Sequence, residues 1–437
     1  MSKQLWETRP LQIWDRAKEM RARWEKDINK GTRLLAQGNT SELDWGIGFL
    51  DSMNLVEDNP HGAMIASKSS PFARISRLAT EIRGWGRELC GYVNNCWGAQ
   101  FLGYDYDDSP FTYRDMCVPF PDPCDQHCKR GQQCMDYSPI PRWGGDWPIY
   151  LGPKDPEREQ ALIDQKVYTI LNTINDIERT MGIKFDDEMF LKNLSMRRSL
   201  LKYGIKIMEL MTHIPAPIGQ KELYTFYTLG GLTKGDVDET INFWNELTDE
   251  IQWRVDNNIA AVGNERYRWM EAHPSPWHFL KYYRYMEKYG AVCIGSQYSH
   301  MMASGMWNID ENGNMIQDEY VLPPADQPVK TREDGIRYIY TEARGKRYKD
   351  DEYWRKEKVT DFAKLFKVDG ALLPLWRGGV GCTLTRKEQG LRLSAAGVSV
   401  LHYEGSQPGD RTDLDERDFL DRLDVWMESQ GLEKLTD

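Results

Sequence analysis

Apolar positions in the middle of the chain recur with a helical period. The run DPEREQALIDQKVYTILNTINDIERTMG opens on Asp155 and Pro156 and closes on Gly182, the punctuation of a helix start and stop. DDEMFLKNLSMRRSLLKYGIKIMELM repeats the pattern up to Met211, and GDVDETINFWNELTDEIQWRVDNNIAA gives a further helix over 235–262. Upstream, residues 1–40 read as one long polar helix with Trp6, Leu11, Trp14, Met20 and Trp24 on one face. Ile65 to Ala79 is a helical segment rich in Ser and Arg.

The pattern changes in the last third. Short apolar runs alternate with helical stretches. RYRWMEAHPSPWHFLKYYRYMEKYGAVCIGSQ predicts strand, loop, helix, strand. VTDFAKLFKVDGALLPLWRGGVGCTL predicts a helix, the strand Ala371–Leu375 and a Gly-rich turn carrying Cys382. SVLHYE predicts another strand, and DERDFLDRLDVWMESQG a closing helix. Such alternation implies a mostly parallel sheet, whose ligands gather past the carboxyl ends of the strands. Cys382 and Glu404 belong at such ends. Cys90 to Tyr150 is dense in Gly, Pro, Cys and aromatics, and predicts loops around a site.

Composition narrows the function. The chain has 437 residues, 40% of them hydrophobic, enough for two or three domains with real cores. A net charge of −11 disfavours nonspecific nucleic-acid binding, which needs a basic stripe. No apolar run reaches the roughly 18 residues that would span a membrane. Met1–Lys30 has no signal-peptide core, so a cytoplasmic location is expected. There the eight cysteines stay reduced. The 16 tryptophans and 22 tyrosines supply packing, an aromatic cavity or a subunit interface.

Six cysteines cluster at Cys90, Cys96, Cys117, Cys124, Cys128 and Cys134; Cys293 and Cys382 stand apart. Thiolates converging from distant segments suit zinc or iron–sulfur. PDPCDQHCKRGQQC, with His127, has the residue types of a zinc knuckle but lacks a C-x2-C pair. Cysteine–histidine catalysis lacks an identifiable orienting group. Cys293 reads as buried packing. His273 and His278, in HPSPWH at a strand end, are candidate proton donors or carbonyl ligands; ordinary surface histidines are the alternative. Ser69, Ser70 and Arg74 could meet an anion, though a solvated helix face explains them. GGVG at Gly378–Gly381 is a tight turn or an anion nest. No GxxxxGK[ST] or GxGxxG is present.

Several segments resemble the 2-hydroxyacyl-CoA dehydratase and ATP-dependent benzoyl-CoA reductase family, most of all its B- or O-type reductase subunits. They are ELCGYVNNC at 88–96, FPDPCD at 120–125, EAHPSPWHFLKYYRYMEKYGAVCIGS at 271–296, DGALLPLWRGGVGC at 369–382 and the closing 397–428. The resemblance implies an α/β fold of two Rossmann-like (flavodoxin-like) parallel-sheet domains with helical N-terminal and inter-domain segments. The expected division is an N-terminal helical arm at 1–60, a first α/β domain with cysteine-rich loops at 61–154, a helical segment at 155–262 and a second α/β domain at 263–437. It implies one [4Fe–4S] cluster held by Cys90, Cys124 and Cys382, with Cys96 an alternative to Cys90. Many members carry a cysteine where this chain has His273, and Cys117, Cys128 and Cys134 exceed the family pattern. The implied activity is electron delivery to the ring of benzoyl-CoA, giving cyclohexa-1,5-diene-1-carbonyl-CoA. The alternatives are a subunit of a 2-hydroxyacyl-CoA dehydratase and a zinc-stapled scaffold without catalysis. The implied partners are a companion family subunit with its own cluster and an ATP-dependent iron–sulfur activator. That division of labour matches the missing phosphate loop. The N-terminal helix, with Trp6, Trp14 and Trp24, is expected to lie on its own domain or to dock on a partner.

Overall fold

The computed structural model of the chain describes residues 5–29, 34–38, 45–86, 89–118, 129, 132–133, 139–144, 155–224, 226, 237–271, 279–296, 307–312, 314–317, 329–340, 359–375, 386–404 and 414–435. Within them lie two parallel sheets and an antiparallel hairpin, clothed by helices.

The first sheet has three strands, β1 (Leu34–Gly38), β2 (Met53–Glu57) and β3 (Met116–Cys117), in the order β2-β1-β3 and all parallel. β2 runs directly into α2 (Asp58–Lys68), which is followed by α3 (Ser70–Ile82) and α4 (Gly91–Leu102). Ser69 caps α3 by accepting from Phe72 N at 3.3 Å, so its hydroxyl serves the helix. Ala36, Met116 and Val118 pack under α5 (Pro156–Met181) with Val167, Ile170, Ile174 and Ile177. Asp155 caps α5, Pro156 fills its first turn, and Gly182 closes it at φ +68°, a left-handed conformation that glycine adopts without strain. α6 (Asp187–Met211) joins two cores: Phe190 and Leu194 lie in the core of the first sheet, Ile205 to Met211 in that of the second. α9 (Arg332–Tyr338) adds Ile336 to the first core.

The second sheet has four parallel strands, β4 (Tyr267–Glu271), β5 (Ala291–Ser296), β8 (Gly370–Leu375) and β9 (Ser399–Glu404), in the order β5-β4-β8-β9. Alternation along the strands gives two buried faces. Met270, Val292, Ile294, Ala371 and Leu373 face α7 (Val237–Asp256) and α10 (Val359–Leu365), with α11 (Arg386–Ala395) on the same side. Trp269, Cys293, Leu372 and Tyr403 face α8 (Tyr282–Glu287) and α12 (Glu416–Ser429). Arg268, 3% exposed, pins the region by donating to Glu265 Oε1 at 2.6 Å and to the carbonyls of Met211, His213 and Phe366 at 2.8–2.9 Å. β6 (Trp307–Ile309) and β7 (Met315–Gln317) form the hairpin.

Two sequence expectations change, and of the two placements expected for the N-terminal arm one is found. The helix read over residues 1–40 is shorter: α1 spans Trp14–Asn29, and the chain returns as strand β1. The pairing of LLAQG with β2 and β3 overrides its helical pattern. Residues 91–102, read as part of a loop region, are helix α4, closed by Gly103 at φ +80°. The N-terminal arm packs on its own chain. Leu11, Ile13, Ala17 and Met20 are buried in the second-sheet core, Arg16 pairs with Glu246, and Arg23 with Glu239 at 2.5 Å. Among the described helices, none is long and apolar enough to cross a membrane.

Candidate functional site

Both sheets start in the same sense. The first has the order second-first-third, the second the order second-first-third-fourth, counting strands along each sheet. In doubly wound sheets the crevice lies where the order reverses, at the carboxyl ends of the first and third strands. In the first sheet that point is flanked by Gly38 and Cys117, in the second by Glu271 and Leu375. Cys124 follows β3, and Cys382 follows β8. His273 and His278 follow β4. Four sequence-predicted site residues thus belong to segments that leave switch-point strands. Those four side chains lie outside the described residues, as do Cys128 and Cys134.

Cys90 is the predicted ligand within them. Gly62 in α2 approaches Tyr92 in α4 so closely that an added Cβ would stand 1.7 Å from Tyr92 O. Asn95 Nδ2 donates to Gly62 O at 3.2 Å, and Ile65 packs with Cys96 and Ala99. The two helices therefore run side by side in the same direction. α2 begins where β2 ends, so the N-terminus of α4 sits at the carboxyl edge of the first sheet. Cys90 is the residue before that helix, 8% exposed, in a wall of Trp85, Leu89, Tyr92, Val93 and Trp97. The partial positive charge of a helix N-terminus favours a thiolate. A cysteine at the mouth of a helix, in an apolar wall at the carboxyl edge of the first sheet, has the chemistry of an iron–sulfur ligand.

Cys96 faces elsewhere. It lies one and a half turns into α4 and is 2% exposed. Its Sγ is 3.9 Å from Nδ1 of His61, whose Nε2 lies 2.5 Å from Oδ2 of Asp105. Arg114 Nη2 is 3.4 Å from the same Nδ1, and the imidazole stacks on Phe111 at 5.8 Å. An arginine donor at Nδ1 assigns the proton to Nε2, which donates to Asp105. The Nδ1 lone pair is then turned toward Cys96 and Arg114. Burial pushes the Asp105 carboxyl up, but the hydrogen bond from His61, the Tyr106 N–H and the Arg114 charge outweigh it, leaving the group below its ordinary value. Asp105 orients His61 toward Cys96, a constellation separate from the cysteines and histidine of PDPCDQHCKRGQQC. Cys96 is thus engaged with α2, whereas Cys90 stands before the first turn of α4.

A second polar cluster closes β4. Glu271 is 1% exposed, and the phenols of Tyr224, Tyr282 and Tyr283 all donate to its carboxylate. Burial, and then the charge of Glu271, pushes the phenols of Tyr282, Tyr283 and Tyr403 well above their ordinary 10.0. The same two causes push the Cys293 thiol well above 9.0. Cys293 is a protonated packing residue whose Sγ lies 3.6 Å from Gly295 O. The cluster fixes the last residue of β4, from which the HPSPWH segment departs. Sequence reasoning missed it; the one visible signal is the acidic residue ending an otherwise buried strand, next to a Tyr-Tyr pair.

The described cysteines Cys90, Cys96, Cys117 and Cys293 are buried thiols outside any disulfide. Among the described residues, no group of three or more His, Cys, Asp or Glu is arranged to hold a metal ion. No curated protein matches the chain. A family model described as 2-hydroxyglutaryl-CoA dehydratase, D-component, matches residues 76–429. That span takes in α4 with Cys90, the exits of β3 and β8, and the whole second sheet. The chain belongs to the 2-hydroxyglutaryl-CoA dehydratase D-component family.

Proposed function

We propose that the chain is the iron–sulfur subunit of a 2-hydroxyacyl-CoA dehydratase, active within a larger complex. The observation that carries this reading is the family match over residues 76–429. It is supported by the departure of Cys124 and Cys382 from corresponding strands of two similarly ordered sheets. Cys90, Cys124 and Cys382 would hold a [4Fe–4S] cluster, leaving one corner for solvent or substrate. Bound there, the cluster supplies single electrons at low potential. The protein supplies the rest. α4 steadies the Cys90 thiolate, the aromatic wall around it keeps water out, and the Glu271–tyrosine cluster sets where the segment with His273 and His278 begins. Those histidines are the proposed proton donors or carbonyl ligands near the thioester.

The proposed partners are a companion family subunit with its own cluster and an ATP-dependent activator, all cytoplasmic. A benzoyl-CoA reductase subunit is the second reading. It is favoured by the resemblance of residues 88–96, 120–125, 271–296 and 369–382 to the B- or O-type subunits, and by the density of aromatic side chains. Both readings use the same ligands. Electron accounting in the assembled complex separates them. A dehydratase recycles its electron, so one priming electron serves many turnovers of a 2-hydroxyacyl-CoA. Consumption of two electrons for every product formed from benzoyl-CoA, with no dehydration of 2-hydroxyacyl-CoA, overturns the dehydratase reading. A purified complex with zinc and no iron overturns both and leaves the scaffold.

A further inference from the structure

Helix α3 is apolar on two sides, and the chain uses one of them. Phe72, Ala73, Ser76, Ala79 and Thr80 are buried against the neighbouring helices. The opposite side carries Ile75, Leu78 and Ile82, which are 48%, 55% and 75% exposed. Their spacing puts them in one stripe along the helix. Large aliphatic side chains in a continuous exposed row mark an interaction surface, unlike a single exposed leucine. The charges beside the stripe are arranged by sign. Arg74 lies toward its N-terminal end and Glu81 toward its C-terminal end; both are exposed, and neither side chain has a hydrogen-bond or ion-pair partner among the described residues.

We propose that this face docks on the same face of a second copy of the chain, with the two α3 helices antiparallel about a two-fold axis beside Leu78. With Leu78 against its own copy, Ile75 meets Ile82 of the other chain, and Arg74 meets Glu81. Each contact then occurs twice, as an isologous interface requires. A parallel pairing would set Arg74 on Arg74 and Glu81 on Glu81, so the charge pattern selects the antiparallel one. A face of one helix is small beside a standard interface of about 800 Å² per partner. The dimer is therefore concentration-dependent, with a Kd on the order of micromolar. The proposal is independent of the chemistry assigned to the chain. It adds a two-fold contact to any complex with a companion subunit.

Sedimentation of the full chain over a concentration series tests it, using wild type, Arg74→Glu, Glu81→Arg and the double variant. Wild type should dimerise. Each single reversal should weaken the dimer about tenfold, because it turns two attractive pairs into repulsive ones. The double variant should recover wild-type affinity, since exchanging both charges restores opposite signs across the two-fold axis. Leu78→Cys should give a disulfide-linked dimer on mild oxidation, and Ile75→Cys alone should not. A chain that stays monomeric throughout overturns the proposal. So does a dimer indifferent to all three charge variants, or a double variant weaker than either single. Protection of Leu78→Cys from alkylation only when a companion subunit of different sequence is added assigns the face to that subunit and overturns the second copy.

Discussion

Removing the phenol oxygen of Tyr282 takes one donor from a buried carboxylate, because Tyr282 donates to Oε2 of Glu271, which is 1% exposed. Tyr282→Phe should cost about 1–3 kcal/mol in denaturant unfolding near neutral pH. The folded phenols of Tyr282 and Tyr283 keep their protons well past 10.0, where those of the unfolded chain release them. Stability from the cluster is therefore whole below about pH 10 and is lost as pH rises beyond it. Tyr282→Phe should flatten that alkaline loss; an unchanged slope would show that the phenol does not carry it. Neither this cluster nor the Cys96 site was legible in the sequence. Tyr224 stands 47 residues before Glu271, His61 35 before Cys96, and Asp105 44 after His61, so only the fold joins them. The surroundings of the two thiols also separate the cluster-ligand alternatives. Cys96→Ser should retain iron, whereas Cys90→Ser should lose it; the reverse would exchange their roles.

At the scale of elements, α4 is held by close backbone approach as well as by its buried aromatic side chains. A Cβ on Gly98 would stand 2.0 Å from Ser76 O, so Gly98→Ala must push α3 and α4 apart. Overpacking of this kind typically costs about 1–3 kcal/mol, read as a lower Tm. An unchanged Tm would show that the helices have room to part. The arm behaves likewise as part of the fold. Deleting residues 1–30 removes Leu11, Ile13, Ala17 and Met20 from the second core, so the chain should lose stability by itself, without any partner. An unaltered unfolding curve would return the arm to a docking role. Long helices were legible because caps and period agree, as Asp155, Pro156 and Gly182 do around α5. The four strands of the second sheet were legible as short apolar runs between helices, whereas the hairpin of β6 and β7 was not. β1 and β2 were not: each is five residues long, and β1 follows a helix whose polar pattern continues toward it. Pairing between distant segments, which the local pattern does not record, makes them strands.

For the whole molecule, the central claim is that thiolates from the two sheets hold iron. The strand order makes that arrangement intelligible, since Cys124 and Cys382 follow the third strand of each sheet in sequence and Cys90 stands at the first sheet's carboxyl edge. The resemblance in the sequence named these cysteines, and the strand before Cys382 was legible there; the strand β3 before Cys124, only two residues long, was not. The most direct measurement is iron and acid-labile sulfide per chain in anaerobically purified protein, for wild type and Cys124→Ser, with Cys293→Ser as control. Wild type and Cys293→Ser should hold about four of each per chain, and Cys124→Ser should lose nearly all of both. Full iron and sulfide in Cys124→Ser, or none in wild type, would contradict it.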